Sequence, residues 1–170
     1  YLGDKYTVIA SYGHICNLSK SGFANTGVNV NDKFTPKYVI MDDKISVITN
    51  ILNEASKSNK IILASDGDRE GEAIALSIYN RLLGINIPIK RMIFNEIKKS
   101  SLEKALQNLK DIDLNLTDSQ ETRRILDRLV GFLTSPYISN TIQKGLSAGR
   151  VQSVVTRLIV DRENEIDVFK

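Results

Sequence analysis

Asp66-Gly67-Asp68-Arg69-Glu70-Gly71-Glu72 stands directly between the apolar run Ile61-Ile62-Leu63-Ala64 and the stretch Ala73-Ile74-Ala75-Leu76-Ser77-Ile78. The first run reads as a buried strand and the second as a helix. The acidic cluster is therefore expected in a tight turn at the carboxyl end of a strand, where open α/β sheets bind ligands. Asp66, Asp68, Glu70 and Glu72 repel one another unless a cation or a basic group compensates them. Oxygen-rich clusters suit Mg²⁺, which is commonly held by one or two carboxylates together with waters and substrate phosphates. A plainer reading makes Asp68 an N-cap and lets Glu70 or Glu72 favour the positive end of a helix dipole. That reading needs one aspartate, whereas the turn holds two Asp and two Glu. On an extended segment Asp66 and Asp68 face the same side, and Glu70, in the first helical turn, can point back towards them.

Strand and helix signals alternate on both sides of this turn. Tyr6-Thr7-Val8-Ile9-Ala10 reads as a strand ending at Gly13-His14-Ile15, and Lys37-Tyr38-Val39-Ile40-Met41 as another. Between them, residues 17–37 are polar and glycine-bearing and are expected to form a long, functional loop. Ile48, Ile51, Leu52 and Ala55 recur at helical spacing, and a helix over about 70–83 is expected to end with Gly84 as its C′ residue. Arg91-Met92-Ile93-Phe94 gives a further short strand. Ser100-Ser101-Leu102-Glu103 has the form of a capping box, with Leu102, Ala105, Leu106 and Leu109 as the apolar face behind it. Such alternation predicts a mainly parallel sheet covered by helices.

The character changes near residues 111–117. Thr117-Asp118-Ser119-Gln120 is a second capping-box pattern, and no convincing strand follows it. One helix is expected over about 118–133, stopping before Ser135-Pro136. Another is expected over about 149–166, with Val151, Val154, Val155, Leu158 and Ile159 on one face. These signals divide the chain into an α/β unit at 1–115 and a helical unit at 116–170.

The 170 residues suffice for one domain or a domain and part of another. A hydrophobic fraction of 42% with 25% charged residues is that of a globular chain, and a net charge of +3 is too modest to indicate nucleic-acid binding by itself. The single cysteine, Cys16, excludes an internal disulfide framework and fits a reducing compartment. No apolar run is long enough to span a membrane. The opening residues have no signal-peptide pattern, and a start without Met beside a strand-like run reads as part of a longer chain.

Leu63-Ala64-Ser65-Asp66-Gly67-Asp68-Arg69-Glu70-Gly71-Glu72-Ala73-Ile74-Ala75 resembles the acidic signature of the type IA DNA topoisomerases, carried on a Toprim domain that primases and some nucleases share. Four further stretches narrow the resemblance: Gly13-His14-Ile15, Phe94-Asn95-Glu96-Ile97, Arg123-Arg124-Ile125-Leu126-Asp127-Arg128, and Leu146-Ser147-Ala148-Gly149-Arg150-Val151-Gln152-Ser153. They occur in family order and cover nearly the whole chain. The fold implied is Toprim, Rossmann-like with a mainly parallel sheet flanked by helices, its first strand missing, followed by a partial all-α domain. The activity implied is relaxation of negatively supercoiled DNA by an isomerase that cleaves one strand transiently, passes the other through the gap and reseals the break.

The resemblance makes Asp66, Asp68 and Glu70 an Mg²⁺-binding triad, with Glu72 as support at the helix start. It places His14, the lone histidine, beside the active site, although a lone His after a strand is more often a structural hydrogen-bonder. On a helix the adjacent Arg123 and Arg124 diverge by about 100°, and Arg124 with Asp127 has the spacing of a plain ion pair. In the family the matching arginines line a single-strand groove and the aspartate lies near a bound base. Phe132 stands where tyrosine is common, which keeps base stacking and loses a hydroxyl. Small residues before a helix let backbone N–H groups approach a phosphate, so Ser147, Arg150 and Gln152 are expected DNA contacts. Cys16 stands where the family commonly has a basic residue, removing a phosphate contact.

The family's Glu-Ser-Pro-x-Lys strand does not occur in these residues, and Tyr1, Tyr6, Tyr12, Tyr38, Tyr79 and Tyr137 lie in none of its nucleophile context. Tyr137 is read as a packing residue. The expected whole is the Toprim unit and part of the next domain of a monomeric, cytoplasmic, nucleoid-associated enzyme acting on DNA. Two rival readings stay open: a Toprim nuclease or primase-like enzyme whose acidic triad acts alone, and a non-catalytic nucleic-acid-binding module.

Overall fold

A computed structural model describes residues 2–3 and 5–169. Tyr1, Asp4 and Lys170 lie outside these, and with them the outer limits of the expected units 1–115 and 116–170. In chain order the elements are β1 (Cys16–Leu18), a 3-10 turn at Phe23–Asn25, β2 (Val28–Asn29), β3 (Thr35–Pro36), β4 (Tyr38–Ile40), a 3-10 turn at Asp42–Lys44, α1 (Ile45–Ala55), β5 (Ile61–Ser65), α2 (Arg69–Leu82), β6 (Ile89–Ile93), α3 (Lys99–Gln107), α4 (Leu114–Thr141) and α5 (Arg150–Val168). They cluster into two compact units, one of residues 1–17 and 38–122, the other of residues 18–37 and 123–170.

The first unit is built on β5 and β6, which pair in parallel from Ile61 with Ile89 to Ser65 with Ile93. Parallel neighbours need a crossover, and α2 supplies it. Ala75 and Leu82 on α2 pack with Leu63 of β5 and Ala55 of α1, and Ile78 and Ile51 add to the cluster. A second cluster joins Ile15, Cys16 and Ile48, with Tyr38 and Ile40 beside them. These contacts explain the helical spacing of Ile48, Ile51, Leu52 and Ala55: one face of α1 meets the core. The strands form three two-stranded sheets, β1 with β4, β2 with β3, and β5 with β6. The α/β class holds, and the β5–β6 pair is its parallel part.

Several local expectations are corrected. Residues 6–10 form no strand; Val8 is 78% exposed, and an extended segment becomes a strand only when a neighbour takes up its hydrogen bonds. The expected loop at 17–37 contains β2 and β3, paired antiparallel, closed by bonds from Ser19 N to Lys37 O (2.8 Å) and from Lys37 N to Gly27 O (2.7 Å). Gly27 sits at φ +72°, and a Cβ there would lie 2.4 Å from Ser19 O, so glycine is required for that closure. The Ser100 capping box is not used, because α3 starts at Lys99 and Ser101 Oγ instead donates to Glu96 Oε1 (2.7 Å).

Nor is Thr117 a cap. α4 begins at Leu114, where the Asp113 carboxylate accepts from Asn115 N (2.9 Å) and Leu116 N (3.2 Å), while Thr117 Oγ1 donates to Leu114 O. Asp113 meets the N-cap chemistry four residues earlier and so claims the helix start. The helix also runs through Pro136 to Thr141 instead of stopping before Ser135. Proline removes one backbone donor, and the carbonyl it leaves is that of Phe132, a residue 40% exposed and open to solvent. α5 lies close to the expected span, but no residue in it is buried. Tyr137 is 68% exposed and is not a packing residue. No helix of the described residues is long and apolar enough to cross a membrane.

Candidate functional site

The acidic turn lies at the carboxyl end of β5, as its sequence predicts. Asp68 is the N-cap of α2 in extended conformation, and its Oδ1 accepts from Gly71 N at 2.7 Å. The plainer reading of Asp68 is therefore realised, and it engages one of the two carboxylate oxygens. Gly71 is needed for this approach: a Cβ would fall 2.3 Å from Asp66 O and 3.0 Å from Ser65 Oγ. At Gly67 a Cβ would fall 2.7 Å from Ile93 Cγ2, so the turn also hugs the end of β6. The two glycines let the strand end, the turn and the helix start share one small volume.

Glu70, in the first turn of α2, reaches His14 and Gln120. Its Oε1 lies 2.5 Å from His14 Nε2, and its Oε2 accepts from Gln120 Nε2 at 3.1 Å. His14 follows Gly13, which takes φ +85°, and Tyr12 at φ +53°, so a left-handed bend delivers the imidazole to the acidic turn. Lys44 secures that bend, donating from Nζ to Tyr12 O (2.8 Å) and Ser11 O (3.3 Å). His14, Glu70 and Gln120 thus meet, although they are 56 and 50 residues apart from one another through Glu70.

Glu72 and Arg91 are buried together, at 1% and 0% exposure. Arg91 Nε donates to Glu72 Oε2 at 2.9 Å. Its Nη1 donates to Leu63 O (3.1 Å), Ser65 O (3.2 Å) and Met92 O, and its Nη2 to Asp66 O (2.7 Å). Glu72 Oε1 accepts from Asp113 N at 2.8 Å. The support expected of Glu72 is thus a buried ion pair beneath the turn. Arg91 was legible only as one residue of an apolar strand, and Gln120 only as half of a capping box. The available signal for Arg91 was its place beside Lys90 on a strand, where adjacent side chains face opposite sides and one of the two cations is turned towards the core.

Asp66, Asp68 and Glu70 offer hard oxygen donors, the chemistry a divalent cation such as Mg²⁺ requires. Among the described residues, however, no group of three or more His, Cys, Asp or Glu side chains is gathered closely enough to hold a metal ion. The donor chemistry fits a divalent cation, and Glu70 is engaged by His14 and Gln120.

The expected nucleic-acid residues lie in the second unit. Asp127 on α4 accepts from Arg150 Nη2 at 3.2 Å and lies 3.8 Å from Arg123 Nε, so Arg123 and Arg150 flank the carboxylate. The Arg128 guanidinium sits 4.7 Å from the centre of the Phe132 ring, a cation–π arrangement. Burial, and then the charge of Arg124, draw the Arg128 guanidinium below its ordinary pKa. Gly149 is the N-cap of α5; Ser147 Oγ and Gln152 Nε2 lie 3.3 Å apart before and within its first turn. Ser135 Oγ, from α4, binds the Ala148 backbone, accepting from its N–H at 3.0 Å. Ser147, Arg150, Gln152, Asp127 and Arg123 therefore gather around one helix start. Cys16 is buried in the first unit and its Sγ accepts from Arg81 Nη2 at 3.4 Å.

Residues 1–97 match the family described as the Toprim domain, and residues 111–170 the family described as DNA topoisomerase. The fold is similar to that of full-length topoisomerase I from Thermotoga maritima, with a TM-score of 0.86 and 40% identity over 99% of this chain. The chain spans 28% of the length of that protein. It belongs to the Toprim family, in the arrangement of the type IA topoisomerases, where a Toprim domain runs on into a DNA topoisomerase domain.

Proposed function

We propose that this chain supplies the divalent-metal site and part of the single-strand groove of an enzyme that relaxes negatively supercoiled DNA by transient single-strand cleavage, passage and religation. The observation that carries the reading is the acidic turn at the end of β5, with Asp66 and Asp68 exposed and Glu70 reached by His14. Asp66, Asp68 and Glu70 are the residues that would hold Mg²⁺, which would offset phosphate charge during religation. His14 is placed to hold or move a proton at Glu70. Arg123, Arg124 and Arg150 meet backbone phosphates, Ser147 and Gln152 add donors, and Asp127 orients two of the arginines and accepts from a base. Phe132, backed by Arg128, offers a stacking face. The whole enzyme is taken to be monomeric and cytoplasmic, associated with the nucleoid.

Salt dependence tests the groove. Three phosphate contacts on a single strand give a slope of log K against log salt of about −2. Arg123→Ala, Arg124→Ala and Arg150→Ala should each flatten it by about 0.7. An unchanged slope in all three variants would reject the assignment. The rival nuclease reading predicts Mg²⁺-dependent nicking of plasmid by residues 1–170 that Asp66→Asn abolishes. A passive binding module predicts single-strand affinity indifferent to Mg²⁺.

A further inference from the structure

Arg91 has no accessible surface, yet it lies in the strand next to the acidic turn and carries none of the roles assigned above. Its donors are spent almost wholly on backbone: the carbonyls of Leu63, Ser65, Asp66 and Met92 accept from its two terminal nitrogens, and Nε is left for Glu72. Three of those carbonyls form the end of β5 and the first residue of the turn. A planar guanidinium holds such acceptors at fixed angles, which the point charge of a lysine does not. Glu72 extends the bracket through Asp113 N to the start of α4.

We infer that Arg91 is the positioning residue of the acidic turn: by clamping the carbonyls of Ser65 and Asp66 it sets the Asp66 carboxylate beside Asp68 for a divalent cation. The inference rests on the metal-binding role proposed above and adds what organises it. Glu72 serves to neutralise and orient Arg91 and has no contact with the cation.

Arg91→Lys in the full chain keeps the charge and removes the planar fork. Binding of Mn²⁺, followed by the electron paramagnetic resonance signal of the free ion, should weaken about 10–100-fold, the loss common when a supporting partner of a metal ligand is removed. Amide exchange at Gly67 and Asp68 should quicken in the metal-free protein. A merely structural role would lower the melting temperature and leave the Mn²⁺ affinity of the folded protein unchanged, and that result overturns the inference. Should Arg91→Lys fail to fold, the double variant Arg91→Met/Glu72→Leu replaces the pair by apolar side chains, a change that buried pairs often tolerate. Weakened Mn²⁺ binding in the double variant supports the inference and wild-type affinity overturns it. A wild-type chain that binds no Mn²⁺ defeats the proposed function and this inference together; wild-type binding with unaltered variants defeats the inference alone.

Discussion

The acidic turn and the helix α5 carry comparable sequence signals, and the protein treats them differently. Around the turn, residues from β5, α2, β6 and the start of α4 converge, and two charged side chains vanish from solvent. α5 has a clear apolar stripe, yet Val151, Val154, Val155, Leu158 and Ile159 remain between 49% and 68% exposed. The ion pairs on it, Arg157 with Asp161 and Arg162 with Glu165, are local and exposed, of a kind worth a few tenths of a kcal/mol at most. A periodic pattern specifies a helix, whereas burial needs a partner surface. The turn has that surface within its own unit.

The comparison breaks most sharply at Glu72. Glu72→Ala strands the Arg91 charge in the interior and should cost about 3–5 kcal/mol, read as a fall in the urea midpoint. A loss below 1 kcal/mol would mean that water reaches Arg91. Next, Gly71→Ala sets a methyl against Asp66 O and should cost about 1–3 kcal/mol, the range of overpacked sites, with the same measurement as its check. Asp68 then separates two roles. Asp68→Ala should lose about 1 kcal/mol with the N-cap, and Asp68→Asn should keep most of that stability while weakening Mn²⁺ binding. If both variants bind Mn²⁺ as the wild type does, Asp68 is only a cap. The smallest effect belongs to α5: Leu158→Ala should change stability by less than about 0.5 kcal/mol, and a larger loss would show that the stripe is covered in solution.

The sequence disclosed what depends on neighbours along the chain. The strand before Asp66, the helix after Asp68 and the place of the turn between them follow from the apolar run and the glycines. The helix ends were less legible because several residues compete for one cap. Asp113 and Thr117 both offer a side-chain oxygen, and Asp113 wins by bonding two amides. Ser100 and Ser101 lost in a similar way when Glu96 took the Ser101 hydroxyl. Pro136 was overestimated as a stop, since α4 continues through it to Thr141 with one backbone donor fewer. Residues 6–10 have a strand's composition, but pairing decides whether a strand exists. Least legible were Arg91 and Gln120, whose roles come from contacts across 19 to 50 residues. No spacing rule reaches that far.

Stability variants leave open what the acidic turn is for, and metal binding addresses it directly. A Mn²⁺ titration of the wild-type chain beside Asp66→Asn, with a single-stranded oligonucleotide present, measures it. The account predicts binding by the wild type and its loss in Asp66→Asn at unchanged fold. Equal Mn²⁺ affinity in the two proteins would contradict it.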